Sequence, residues 1–262
     1  MSSTVSTLRI YNHKRGGPDS RDFKYTMALR QLAKQNLPII VDFRQLYPRL
    51  IPGVLDQGCL GTSAVSACSN AIRFVLRKEK MKDVQPSRLY MYWFARFVEN
   101  PDIDFNDSGV SLRSILASIH TYGICEESAY PYNVNMSKMK PSNKCIRSAT
   151  PNTRDFKYLS IDLNVTLIKQ CLYSGLPIIF GMNVYESFES ESVSRTGLVP
   201  MPGTNEVLLG GHVALMVGYD EAKRCFIVMN SWGLNWGDKG YFYLPYEYLV
   251  HMSDLWTIKF FE

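Results

Sequence analysis

The sequence lacks the ligand spacing that would build a structural metal site. It has only four histidines, and these and its six cysteines form no His-x-x-x-His or Cys-x-x-Cys pair. A zinc site is therefore not predicted. Scattered cysteines are ordinarily free thiols, although the pattern leaves disulfides open. The six are Cys59, Cys68, Cys125, Cys145, Cys171 and Cys225.

Long apolar runs are also absent. The strongest, at 176–182, has the length of a strand and is far shorter than a membrane span. Residues 1–9 contain no apolar core of the kind that a secretory signal needs. These absences favour a cytosol-like compartment. A secreted precursor that had already lost its signal would look the same, so the compartment stays open.

Positive charge is in only slight excess. The formal net charge is +5, with 20% charged and 46% hydrophobic residues, which is typical of a soluble globular protein. A solvated helix end explains the one basic cluster more simply than a nucleic-acid surface does. Neither nucleic acid nor a membrane is expected as a partner. The cluster is Arg73, Arg77, Lys78, Lys80 and Lys82.

Helical patterns dominate the first part of the chain. Amphipathic spacing predicts a short helix at 23–35, and small residues at helical spacing predict a buried helix from residue 62. An aromatic stripe at 87–99 predicts another helix. A further one is expected to follow Ser111 as its N-cap and to end at Gly123.

Strand patterns dominate the second part. Apart from an early extended run at 37–44 and a helix at about 165–174, the β-rich stretches follow Pro151. A helical part followed by a β part predicts two lobes, with the cleft between them as the natural site. The predicted strands are 176–181, 213–219, 225–230 and 240–244.

One constellation in the β-rich part points to chemistry. His212 follows Gly210 and Gly211, which leave its surroundings open to a substrate backbone. Asn230 ends the next predicted strand, and adjacent antiparallel strands would bring it within hydrogen-bond reach of His212. A neutral asparagine can hold one imidazole tautomer without adding charge. Trp232 would cover that hydrogen bond.

These residues resemble the C-terminal signature of the papain family of cysteine peptidases. The histidine strand is followed by Gly-Tyr-Asp, then by Asn-Ser-Trp-Gly at 230–233 and Trp-Gly-x-x-Gly-Tyr at 236–241. Residues 37–44 are similar to the start of a mature papain-type domain. Gln57-Gly58 matches the pair that precedes the family nucleophile. The resemblance covers about residues 37–250.

The resemblance implies an α+β, two-lobed fold for a peptidase domain at 37–262. Its helical lobe would span about 44–150 and its β-barrel-like lobe about 151–255. Residues 1–36 are then expected to be a propeptide-like segment that occupies the cleft. The implied activity is endopeptidase cleavage of a peptide or protein substrate through an acyl-enzyme, without metal or organic cofactor.

The family nucleophile is where the sequence departs from the pattern. Residues 56–64 look closest to a bacterial and viral branch that reads Asp-Gln-Gly-x-Leu-Gly-Ser-Cys-Thr, and Ser63 stands where that branch has its cysteine. A cytoplasmic or virion-associated protein is favoured, because no signal peptide or transmembrane segment is visible in the sequence. Cys59 precedes the helix and Cys68 lies more than a turn inside it, so neither replaces the missing thiol.

The resemblance also assigns supporting roles. His212 would be general base and then acid, oriented by Asn230 and shielded by Trp232. Gln57 and the backbone N–H of residue 63 would stabilise the oxyanion. Substrate backbone would pair with Gly211 and with the loop residues of one short stretch, in which aspartate replaces the usual asparagine. That stretch is Asp107, Ser108 and Gly109.

Three interpretations of Ser63 compete. The favoured one is a serine introduced in place of cysteine to inactivate the enzyme, because the other catalytic positions are intact. A natural pseudopeptidase that binds peptides or partners without cleaving them is second. A working serine nucleophile is third, since a hydroxyl has a far higher pKa than a thiol.

Overall fold

The computed structural model describes residues 9–17, 19–25, 36–102, 107–149 and 156–260. It has the two-lobed α+β architecture that the resemblance implies, with helices concentrated before residue 149 and strands after residue 156. No helix within these ranges is long and apolar enough to cross a membrane.

The helices of the described chain are mostly short. Short 3-10 turns lie at Val134–Met136, Glu186–Glu189 and Tyr246–His251. The α-helices are α1 (Phe43–Leu46), α2 (Ser63–Lys78), α3 (Arg88–Glu99), α4 (Leu112–Tyr122), α5 (Asn143–Ser148), α6 (Val165–Tyr173) and α7 (Glu191–Thr196).

The strands form one antiparallel sheet. Their order is β2-β7-β3-β4-β5-β6, and β1 pairs with β4 outside this path. The long strand β4 is therefore central to the sheet. The strands are β1 (Ile40–Asp42), β2 (Phe156–Ser160), β3 (Ile178–Tyr185), β4 (Leu208–Asp220), β5 (Cys225–Met229), β6 (Tyr241–Pro245) and β7 (Met252–Phe260).

Helix α2 is the element that carries the predicted nucleophile position. It begins at Ser63, and every side chain from there to Leu76 is buried except Arg73. Its small residues, such as Ala67, allow close packing, and it shares one hydrophobic core with β3 and β4. The predicted buried helix is confirmed, and its N-terminus lies against the sheet.

Capping residues predict the start and the end of helix α4. The Ser111 hydroxyl accepts a hydrogen bond from the Ser114 amide at the start of α4, and Gly123 ends that helix with a φ of 75°. The Ser87 side chain caps α3 in the same way, by accepting from the Tyr90 amide. The boundaries predicted at Ser111 and Gly123 are confirmed, whereas the cap at Ser87 was not predicted.

The structure corrects the prediction of an extended strand at 37–44. Only Ile40–Asp42 is a strand, and the chain turns helical at Phe43. The Asp42 carboxylate accepts a hydrogen bond from the Arg44 amide and so caps α1, a competing local signal within an apolar run.

The helix predicted at 23–35 falls mostly on 26–35, outside the described residues. Its first residues are not helical, since the Tyr25 amide donates to the Ser160 carbonyl and the Ser160 amide donates to the Phe23 carbonyl. This pairing with β2 replaces the expected turn of helix.

We expect Phe180→Ala to lower the free energy of unfolding by about 3–5 kcal/mol, because it empties a fully buried site in β3. Urea unfolding followed by fluorescence measures the change. Val250→Ala is the control, since Val250 is 78% exposed, and it should shift stability by less than about 0.5 kcal/mol. Equal midpoints for the two variants would contradict this packing.

Candidate functional site

Ser63 lies where the first turn of α2 meets β4. Its Oγ accepts a hydrogen bond from the Val213 amide at 3.3 Å, and the side chain is buried. Val213 directly follows His212 in the chain, so this bond joins the helix N-terminus to the histidine strand. The structure thus brings together residue 63 and residue 212, which are 149 positions apart in sequence.

His212 and Asn230 form a buried hydrogen bond. His212 Nε2 lies 2.8 Å from Asn230 Oδ1, and that oxygen also accepts from the Ser231 amide at 2.8 Å. Because the Ser231 N–H identifies the acceptor atom, Nε2 must carry the proton. The neutral ring then keeps its lone pair on Nδ1, which has no hydrogen-bond partner among the described residues.

Burial keeps His212 uncharged. Loss of solvent lowers its pKa from 6.5 to about 4, partly opposed by the Asn230 hydrogen bond, while the nearby His13 and Arg9 charges lower it further. Trp232 covers the ring, with 4.9 Å between ring centroids. The imidazole is thus a neutral proton acceptor over most of the physiological pH range.

Gln57 connects the loop before α2 to the strand-end residues. Its Nε2 donates to the Leu60 carbonyl at 2.8 Å, and its Oε1 accepts from the Ser231 hydroxyl at 2.6 Å. The side chain is almost fully buried. Gln57 therefore shares Ser231 with the His212–Asn230 pair, and its role as an oxyanion donor stays a prediction.

The loop at Asp107, Ser108 and Gly109 forms one of the two predicted substrate-binding walls, and Gly211 belongs to the other. The Asp107 carboxylate accepts from the Gly61 amide at 2.8 Å and from the Tyr92 hydroxyl. That hydroxyl in turn accepts from the Gly109 amide at 3.2 Å, whereas the Ser108 hydroxyl lies 3.4 Å from the carbonyl of the next residue. The sequence pattern places Tyr92 within the helix predicted at 87–99 but gives no signal for this anchoring role.

All six cysteines are free thiols in the structure, with Cys59 exposed and the other five buried. Cys68 lies inside α2, and burial raises the pKa of its thiol far above the ordinary value. It would stay protonated at neutral pH. Cys68 therefore does not provide a thiolate at this site.

Residues 9–14, here called the strap, lie across this site. The His13 amide donates to the Gly211 carbonyl at 3.1 Å, and Asn12 forms a parallel bridge with the same glycine. The Asn12 side chain donates to the Asp107 carbonyl at 3.1 Å. The strap thus pairs with both predicted substrate-binding walls.

Side chains of the strap also cover the histidine. The Tyr11 ring packs edge-on against the rings of His212 and Trp232, each at 6.1 Å. The Arg9 guanidinium lies 3.9 Å above the Trp232 ring, and both Arg9 and Tyr11 bond to Glu189. Sequence patterns did not indicate any of these strap residues individually.

Gly109 allows the strap to approach closely. Its φ is +67°, and a Cβ at this position would overlap the Asn12 carbonyl. Glycine is therefore required here both by backbone conformation and by the chain that lies against it.

We expect the His212 pKa to fall further in Asn230→Ala. The hydrogen bond to Asn230 stabilises the charged ring, and the variant lacks that bond. NMR titration of histidine-labelled protein measures it, with the exposed His120 as the reference signal. An unfolded imidazole titrates near 6.5, so this site lowers stability as the pH falls from 6.5 to about 4. A raised pKa in the variant would contradict the proposed tautomer.

Sequence comparison relates this chain to papain-type cysteine proteases. The family model described as papain family cysteine protease matches residues 37–252. An uncharacterized peptidase C1-like protein of Acanthamoeba polyphaga mimivirus is 34% identical, covering 98% of this chain and 88% of that protein.

Solved structures show the same fold. Xylellain, a cysteine protease from Xylella fastidiosa, superposes with a TM-score of 0.86 at 33% identity, over 96% of each chain. Digestive procathepsin L 3 of Tenebrio molitor larval midgut matches in fold, with a TM-score of 0.70 at 20% identity, over 94% of this chain and 76% of that one. The chain belongs to the papain family of cysteine proteases.

Proposed function

We propose that this protein is an endopeptidase when position 63 carries cysteine. The form with serine at that position is proposed to bind peptides without cleaving them. The observation that carries this proposal is the junction of the α2 N-terminus with β4, where Ser63 bonds to Val213 beside the His212–Asn230 pair. A serine introduced to inactivate the enzyme and a natural pseudopeptidase would share this geometry.

The proposed reaction uses the tautomer described above. A thiol at position 63 would transfer its proton to the free Nδ1 of His212, and the positive end of α2 would stabilise the thiolate. Asn230 would accept from Nε2–H throughout and so hold the ring while it is charged. The thiolate would attack the substrate carbonyl, and His212 would then protonate the leaving amine.

The developing oxyanion would lie near the start of α2. The backbone N–H of residue 63 and the Gln57 amide are the proposed donors. Gln57 now donates to Leu60, so it would exchange that acceptor for the oxyanion. Its fixed contact with Ser231 keeps it beside the histidine pair during this exchange.

A serine hydroxyl does not suit this arrangement. Its pKa is far above that of a thiol, so an imidazole that can accept the proton of a thiol is still too weak a base to ionise it. The orienting group is a neutral amide rather than a carboxylate, so it adds no charge to stabilise an imidazolium. A working serine nucleophile is the least favoured interpretation.

In a Tyr11→Ala background, which weakens the strap, we expect Ser63→Cys to cleave peptides at least roughly 1,000-fold faster than the serine form, because only the thiol ionises in this site. Cleavage should require reducing conditions and be blocked by a thiol-reactive epoxide. Ser63→Ala is the inactive control, and His212→Ala in the cysteine variant should remove the gain. A cysteine variant that cleaves no peptide, even with its strap weakened as below, would favour the pseudopeptidase.

The strap supports a second part of the proposal, that residues 1–36 act as an intramolecular propeptide. Residues 9–14 occupy both walls where substrate backbone is expected, through Gly211 and Asp107, and Tyr11 covers His212. A substrate could not bind there at the same time. The strap would therefore hold the peptidase inactive until it is displaced.

In the Ser63→Cys background, we expect Tyr11→Ala to speed labelling of the thiol by an epoxide about ten-fold. The reason is that losing the aromatic contacts costs the closed strap about 1.4 kcal/mol. Arg21→Ala is the matched control, since Arg21 bonds to Asp19 at the surface. Equal labelling rates in all three proteins would rule out occlusion by the strap.

A further inference from the structure

A tyrosine of the helical lobe is bonded to the loop that carries the proposed oxyanion donors. This loop, residues 56–62, is here called the donor loop. The Tyr132 hydroxyl donates to the Gln57 carbonyl at 2.7 Å and lies 2.5 Å from the Thr62 hydroxyl. One side chain therefore joins the start of the donor loop to the residue before position 63.

The direction of these two bonds follows from counting hydrogens. A backbone carbonyl can only accept, so the single hydrogen of the Tyr132 hydroxyl is committed to Gln57. The Thr62 hydroxyl must then donate to the Tyr132 oxygen. Burial raises the pKa of Tyr132 to about 12, so its hydroxyl keeps the hydrogen at neutral pH. The bonds run from Thr62 through Tyr132 to Gln57, and each polarises the next.

This arrangement removes a helix cap. Thr62 is the N-cap residue of α2 and is fully buried, yet its hydroxyl does not cap the first turn. A threonine at this position ordinarily accepts from a first-turn amide and so reduces the positive potential at the helix start. Because Tyr132 holds the hydroxyl elsewhere, that positive potential remains for a developing negative charge.

Arg88, the first residue of α3, fixes the Tyr132 ring. Its guanidinium lies 3.6 Å from the centre of the ring and donates to the Asp56 carbonyl at 2.8 Å. The Glu127 carboxylate accepts from the same guanidinium twice, at 2.8 and 3.0 Å. The Arg88 side chain is only 7% exposed, so water competes little with these contacts. A planar guanidinium can stack on a ring and pair with a carboxylate at once, which an ammonium cannot do.

The donor loop needs a defined geometry because the proposed donors are Gln57 and the backbone N–H that follows Thr62. A donor stabilises an oxyanion best at about 2.7–3.1 Å, and a displacement of roughly 1 Å can cost about 100-fold in rate. The Gln57 side chain also has to leave the Leu60 carbonyl, which belongs to the same loop. Tyr132 and Arg88 hold the loop backbone while that side chain changes its acceptor.

We propose that Tyr132 and Arg88 are positioning residues that hold the donor loop so that both donors face the developing oxyanion. The inference rests on the proposed peptidase function and adds two residues to its machinery. They act through Gln57 and Thr62 rather than on the substrate. Weakening them should therefore reduce stabilisation of the transition state while substrate binding and thiol ionisation persist.

The first test uses Tyr132→Phe, which keeps the ring beside Arg88 and removes only the hydroxyl. The enzyme is the full chain carrying Ser63→Cys and Tyr11→Ala. We expect kcat for peptide cleavage to fall at least roughly ten-fold, with KM changed by less than about two-fold. Tyr90→Phe is the matched control and should leave kcat unchanged, because the buried Tyr90 donates to the Tyr122 carbonyl instead.

Two reagents separate positioning from a general loss of structure. A peptide aldehyde adds the thiol at position 63 across its carbonyl, and the resulting oxygen occupies the oxyanion position. Its affinity should fall at least roughly ten-fold in Tyr132→Phe. Iodoacetamide alkylates the thiolate without needing an oxyanion donor, so its rate should stay within about two-fold. Equal losses with both reagents, or a loss with neither, would overturn the positioning role.

Arg88→Lys tests the second residue. Lysine keeps a positive charge near Glu127 but cannot also stack on Tyr132, so kcat and aldehyde affinity should each fall at least roughly three-fold. Arg73→Lys is the matched control, since Arg73 pairs with the Asp83 carboxylate nearer the surface. Thermal unfolding checks that each variant folds. Unchanged kcat and aldehyde affinity in Arg88→Lys would exclude Arg88 from this role.

Hydrogen exchange in the serine form tests the inference without cleavage. The Thr62 amide donates to the Leu60 carbonyl at 2.8 Å within the donor loop. NMR should show this amide exchanging at least roughly ten-fold faster in Tyr132→Phe, but not in Tyr90→Phe. Unchanged exchange would overturn the positioning role. Faster exchange together with a parent cysteine variant that cleaves nothing would count against the peptidase alone.

Discussion

The hydrogen bond between His212 and Asn230 is the interaction on which the candidate chemistry depends. The Ser231 amide fixes the Asn230 oxygen as the acceptor, and this leaves Nδ1 as the basic atom of the ring. This bond can serve the proposed chemistry only because α2 begins next to β4, which brings residue 63 beside the histidine strand. Ser231 also bonds to Gln57, so one residue aligns the proton acceptor and the proposed oxyanion donor.

The strap makes the contacts that we propose a substrate would otherwise make. It pairs with backbone at Gly211 and Asp107, stacks on Trp232 and places an imidazole against Asp254. Its cover also contributes to the burial that lowers the His212 pKa, because Tyr11 packs on that ring. Occlusion of the cleft and the neutral state of the histidine therefore have a common physical origin.

Local signals predicted much of the fold. Ser111 and Gly123 bounded a helix because capping depends on a few adjacent backbone groups, and small residues predicted the buried helix α2. The strand predicted at 37–44 is too long, because the Asp42 side chain caps a helix that begins at Phe43 within this apolar run. Strand β7 was not predicted, since polar residues such as Ser253 and Asp254 interrupt its pattern.

The sequence by itself determined the family, because the order and spacing of its motifs can be read without coordinates. It also identified positions 63, 212 and 230 as the candidate catalytic positions. Only the tertiary structure revealed that Tyr92 holds Asp107 and that His13 meets Asp254, which is 241 positions away in the chain. Such contacts arise from strand order and from where the strap crosses the sheet. Neither leaves a periodic signal in the sequence, since each joins single residues that are distant in the chain.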